Sequence, residues 1–169
     1  MERAKDEADR RDAYHEAGHA VLGEAQKAIL SRHLAGVCIR RSNGCRGMTK
    51  YAGRFKADEC SPAQVKAYLI GCWGGYAAEV VCCSADGDTP GRCSDDLSDA
   101  LPWAEWAAHG CPQNMDACLC EAKSDAVAMV TRYRRSVEAV AERLLGEGEL
   151  SGAQVRQIVA AVGELTFPA

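Results

Sequence analysis

Long apolar runs are missing from this chain. No stretch approaches the roughly 20 consecutive apolar residues that a transmembrane helix needs, and Met1 to Asp12 is a charged segment without an apolar signal core. The expectation is a soluble, cytoplasmic chain with no membrane span. Aromatic residues make up only 6%, and the 20 basic and 24 acidic residues are spread along the sequence for a net charge of -4. A nucleic acid would find neither a positive stripe nor stacking surfaces, which argues against it as a partner. The phosphate-binding pattern G-x-x-x-x-G-K-[ST] is absent, as is any C-x-x-C pair among the ten cysteines. Irregular cysteine spacing in a chain of this length does not read as a disulfide scaffold, so most cysteines are expected to be small buried apolar residues.

What is present suffices for one core. With 169 residues and 47% hydrophobic content, the chain reads as a single domain, 1–169, able to bury about 70% of its unfolded surface. Ala13, Ala17, Ala20, Val21, Ala25 and Ala28 form an apolar stripe at helical spacing and predict a first helix from Glu2 to about Leu30. Gly18 and Gly23 weaken that helix and suggest close approach of another element.

Histidine occurs only four times, and two of the four lie in Tyr14-His15-Glu16-Ala17-Gly18-His19. Histidines four apart on a helix project from one face, so both imidazoles can reach one cation while Glu16 points toward the same cleft. This is the H-E-x-x-H arrangement of zinc peptidases. Two neutral imidazoles and a third protein ligand leave a tetrahedral zinc one position for water, whose pKa falls to about 7. A carboxylate beside it, Glu16, can take the proton and later return it to the leaving amine. The motif does not itself supply the third ligand.

After Gly36 the period shortens. Val37-Cys38-Ile39-Arg40-Arg41 predicts a strand, Ser42-Asn43-Gly44 a turn, and Gly47 to Tyr51 a second strand, giving a hairpin or small sheet near the histidine helix. A free edge there could hold an extended peptide by main-chain hydrogen bonds, which makes Val37, Cys38, Ile39 and Arg40 candidate substrate-binding residues. Ser61-Pro62-Ala63-Gln64 is a capping box that opens a helix to about Val81, with Gly71, Gly74 and Gly75 as a small-residue surface and Glu79 in need of a partner. Ser94-Asp95-Asp96-Leu97 opens a further helix after an 86–92 loop. A stripe of Ala126, Val130, Tyr133, Val137, Val140 and Leu144 predicts a long helix over 116–145, and Ser151-Gly152-Ala153-Gln154 starts a last helix to about Val162.

Taken in order, the histidine motif, the Gly47-Met48-Thr49-Lys50-Tyr51 strand, Gly74-Gly75-Tyr76-Ala77-Ala78-Glu79, Ser94-Asp95-Asp96-Leu97 and the tail from Leu144 through Ser151-Gly152 to Ile158 resemble the peptidase domain of the FtsH-type ATP-dependent zinc metalloproteases. The resemblance implies a mainly α domain in which zinc is held by His15, His19 and an aspartate that maps onto Asp96. Glu79 is the rival ligand, or else the acceptor for a ligand imidazole N–H. His33 and His109 match no ligand position. The family joins this domain to a membrane anchor and an ATPase, and neither pattern is found in these residues; Asp95 also stands where the family has asparagine. The implied activity is zinc-dependent hydrolysis of unfolded or flexible polypeptide, with a separate ATPase or a homo-oligomer as the implied partner. The alternative is a non-catalytic binding module that keeps the metal as a structural element.

Overall fold

The computed structural model describes residues 2–39, 47–53, 59–83 and 94–165. Among them the order of elements is α1 (Glu2–Ala25), α2 (Lys27–Leu30), β1 (His33–Cys38), β2 (Met48–Ala52), α3 (Pro62–Cys72), α4 (Gly74–Cys83), α5 (Ser94–Ala107), α6 (Pro112–Arg132), α7 (Arg134–Glu147), β3 (Glu149–Ser151) and α8 (Gly152–Val162). The fold is mainly α with one small antiparallel sheet, as the periodicity leads one to expect. No helix among the described residues is long and apolar enough to cross a membrane.

Helix α1 runs through the centre because its buried side chains are small. Ala13, Ala17 and Ala20 are fully buried, which lets α4 and α7 pack closely along it. A Cβ at Gly18 would lie 2.2 Å from the Gly74 carbonyl oxygen, so glycine is required where α1 crosses α4. At Gly23 the space that a side chain would take is filled by the Tyr51 ring. Both glycines thus mark close approaches, one to a helix and one to the sheet.

Three stretches that read as single helices are each divided, the first at Gln26, which separates α1 from α2 at φ -105 and ψ 6. Trp73, at φ -88 and ψ 4, separates α3 from α4, and Tyr133, at φ -104 and ψ 25, separates α6 from α7. A one-residue break re-aims the following helix without stopping the apolar stripe: Ala126 and Val130 before Tyr133 and Val137, Val140 and Leu144 after it are all fully buried. Periodicity alone therefore cannot reveal it. The capping boxes at Ser61 and Ser151 are both formed, and Gly148 ends α7 at φ 76, the left-handed conformation that glycine adopts without strain.

The sheet order is β2-β1-β3, all antiparallel. Strand β3 is only three residues long, too short to give a periodic signal in the sequence, and it corrects one expectation. Val37 pairs with Thr49 on one side and Leu150 on the other, Cys38 pairs with Met48 and Glu149, and the Ile39 N–H donates to the Gly148 carbonyl. Val37, Cys38 and Ile39 therefore offer no free edge to a peptide, because their main-chain groups are already committed. Arg40, the fourth candidate of that set, lies outside the described residues, as do the 42–44 turn and the 86–92 loop. The eight described cysteines are free thiols, as expected, but their burial differs from expectation: seven are half-buried, Cys60, Cys72, Cys82, Cys83 and Cys118 among them packing against the core, and Cys120 is exposed.

Candidate metal centre

His15 and His19 project from α1 into a cavity of about 750 Å³ whose walls come from α1, β2, α3, α4 and the first two turns of α5. There the two Nε2 atoms are 3.2 Å apart. Asp96, in the first turn of α5, presents one carboxylate oxygen to each ring: Oδ2 lies 3.3 Å from His15 Nε2 and Oδ1 lies 3.3 Å from His19 Nε2. Among the described residues this is the one group of three His, Cys, Asp or Glu side chains whose ligand atoms gather within 4.8 Å of one another.

The far nitrogens decide what those near atoms are. His19 Nδ1 donates to the Gly71 carbonyl oxygen at 2.9 Å, and His15 Nδ1 donates to Glu79 Oε1 at 2.8 Å. Both partners accept only, so each neutral ring carries its proton on Nδ1 and turns a lone pair inward at Nε2. Two imidazole lone pairs and a carboxylate that has no donor on its buried Oδ2 then face one another. Three acceptors converging without a proton among them repel unless a cation sits between them, and a set of two imidazoles and a carboxylate suits zinc. The residues present fit the metal that the motif implies.

The electrostatics agree. Burial lowers the proton affinity of His15, but hydrogen bonds to Asp96 and Glu79 and the charges of Asp96 and Glu16 outweigh it and hold the imidazole up at about 10. Burial raises the Asp96 carboxyl, and the two histidines more than reverse this, leaving it well below the usual carboxylate range. Glu79 is likewise raised by burial and brought down below its ordinary value by His15 and Arg11. Without a metal the site draws a proton onto His15, so proton and metal compete for the same place. Cys72 also lines the cavity, but burial, aided by Asp96 and Asp99, pushes its thiol up to about 12 and leaves it protonated.

Glu16 is buried on the same cavity. Thr49 of β2 donates its hydroxyl to Glu16 Oε2 at 2.7 Å, while the other oxygen lies against Gly47, where a Cβ would come within 2.5 Å of it. The Tyr51 hydroxyl donates to the His19 carbonyl oxygen at 2.7 Å, tying β2 to α1 beside the motif. Strand β2 is thus the sheet's edge on the cavity side, and Gly47, Met48, Thr49 and Tyr51 line it.

The structure brings His15, Glu16, His19 and Asp96 together and sets Glu79 behind His15, on the nitrogen turned away from Asp96. It keeps His33, on the exposed side of β1, and His109, after α5, out of the group. Three contributors were not read from the sequence. Thr49 required the β-sheet register, and the Gly71 carbonyl has no side chain to signal it. Gly75 reads in the sequence only as part of a small-residue surface; that an added Cβ there would be 2.4 Å from His15 Nε2 emerges from the α1–α4 contact.

No curated protein matches the chain closely. The model of peptidase family M41, which is the family of the FtsH peptidase domain, matches residues 3–107, and α1 to α5 with every side chain of the metal centre lie in that span. With well over half of its length matched, the chain belongs to peptidase family M41.

Proposed function

We propose that the chain is a zinc endopeptidase that hydrolyses extended or unfolded polypeptide, with His15, His19 and Asp96 holding the metal and Glu16 as general base. The family supports a metallopeptidase-type function, and a peptidase implies a polypeptide substrate. The observation that carries the finer reading is the convergence of His15 Nε2, His19 Nε2 and the Asp96 carboxylate beside the buried Glu16 carboxylate in one cavity. Zinc, when bound there, supplies Lewis acidity that polarises a peptide carbonyl and makes a water easier to deprotonate.

The chain's own residues do the rest. Glu16 takes the proton of the attacking water and passes it to the leaving amine, and Thr49 orients its carboxylate by binding Oε2. The peptide adds to the outer edge of β2, whose other edge pairs with β1, so that main-chain bonds hold it along the cavity whatever its side chains are. Residues 1–169 act as one domain, since α7 and α8, beyond the matched span, pack on α1. A separate ATPase or a ring of copies in the cytoplasm is the partner this reading calls for, because a peptidase of this kind does no mechanical work on folded substrates. A binding module with a structural metal would have no use for Glu16 and would close the site with four protein ligands.

Glu16→Gln tests the reading. It keeps the shape of the side chain and removes the base, so the chain should retain about one zinc while hydrolysis of a casein-like substrate falls by about 100-fold or more. Undiminished cleavage by this variant would overturn the mechanism.

A further inference from the structure

We infer that Arg11 is a positioning residue for the metal centre, acting through Glu79 on the imidazole of His15; the inference rests on the metallopeptidase reading. Arg11 and His15 lie one turn apart on the same face of α1. Glu79 of α4 bridges them: its Oε2 accepts from Arg11 Nε and its Oε1 from His15 Nδ1 at 2.8 Å. A carboxylate held at one oxygen can swing about that bond. Held at both by donors from one rigid helix, it has a single orientation, and so has the ring it holds.

The two histidines differ in this respect. His19 is oriented by the Gly71 carbonyl, a main-chain group that α3 holds in place, so it needs no side chain behind it. His15 depends on a side chain, and that side chain is buried: Glu79 is 6% exposed, against 27% for Arg11. The guanidinium thus supplies the counter-charge at the buried end while its outer part stays in water. A role limited to clamping α1 on α4 would use the same ion pair. Yet those helices already meet through Gly18 and Gly74, and a clamp would leave metal affinity unchanged in any variant that folds.

The experiment is a double-variant cycle on the whole chain. It reads zinc affinity by competition with a chromophoric chelator, with melting curves to establish folding. Arg11→Gln should weaken zinc binding by about tenfold. In a Glu79→Gln background the same change should alter it by less than about twofold, because the link it acts through is already altered. Arg11→Lys, which keeps the charge but not the planar fork, should lie between Arg11→Gln and the parent, and it carries the same cycle if Arg11→Gln does not fold. Unchanged zinc affinity in folded Arg11 variants, or equal losses in both backgrounds, would overturn the proposal alone. Failure of the parent chain to bind zinc would overturn the metal reading and the proposal with it.

Discussion

Replacing Gly75 by alanine tests the described position of His15 without touching a ligand. The added Cβ would lie 2.4 Å from both Cε1 and Nε2 of the ring and 2.6 Å from Cδ2. Non-bonded carbons settle at about 3.5–4.0 Å, so the imidazole must retreat by more than about 1 Å. Metal–ligand distances hold to within about 0.2 Å, and a shift of that size removes His15 from the ligand set. The ring cannot swing aside freely either, since Glu79 holds its Nδ1. For stability, two effects oppose each other: alanine in a helix gains about 0.5–1 kcal/mol over glycine, and overpacking costs about 1–3 kcal/mol. The net loss of about 0–2.5 kcal/mol is small beside the 5–15 kcal/mol typical of a domain, so the chain should fold and fail to hold metal. Zinc per chain after dialysis, measured by atomic absorption, should fall far below one, with a modest drop in melting temperature. Gly146→Ala in α7 is the control: nothing lies within 4 Å of its added Cβ, so zinc should be unchanged and stability should rise by up to about 1 kcal/mol. Parental zinc content in folded Gly75→Ala would refute the placement of the ring.

Three further predictions follow from the same geometry. Asp96→Ala should abolish zinc binding, whereas Glu79→Ala should weaken it by about 10–100-fold, as expected for an outer hydrogen bond; full zinc in Asp96→Ala with none in Glu79→Ala would exchange their roles. Arg156→Met should cost about 3 kcal/mol in denaturant unfolding, because Glu24 is fully buried, accepts from Arg156 Nη1 at 3.2 Å, and among the described residues would keep only Lys27 at 3.5 Å; a loss below about 1 kcal/mol would show the pair to be dispensable. If β2 holds the peptide by its main chain, N-methylation of alternate amides in a flexible peptide should raise KM, and a stably folded protein should resist cleavage; equal KM values for all the peptides would remove the strand from the site.

The strand expectation shows where periodicity runs out. Residues 37–39 read as a strand because they are short and β-branched, and Val37 and Cys38 do lie in β1. Whether a strand is central or at an edge depends on what pairs with it from elsewhere in the chain, and here the second partner is a three-residue segment 111 to 115 positions away in sequence. The helix breaks at Trp73 and Tyr133 are a similar case, because each leaves the apolar stripe in phase. The first has a chemical consequence: it ends α3 at Cys72, so the Gly71 carbonyl lies in the last turn, where it accepts from His19 Nδ1 as well as from the Trp73 N–H.

Local spacing by itself determined which groups could do chemistry on α1. A helix puts residues four apart on one face, so His15 and His19 converge and Glu16 lies beside them whatever the remainder of the chain does. It also determined the mainly helical class, the two capping boxes, and the glycines where elements must approach. Tertiary structure alone decided the rest. Asp96 is 77 positions beyond His19, and only the packing of α5 brings its carboxylate to both rings. The same packing put Glu79 on the outer nitrogen of His15, Thr49 on Glu16, and β2 at the edge of the cavity. The physical reason is that each of these depends on a distance between elements, and such distances follow from how small side chains and glycines let helices and sheet close together, which no pattern along a single element records.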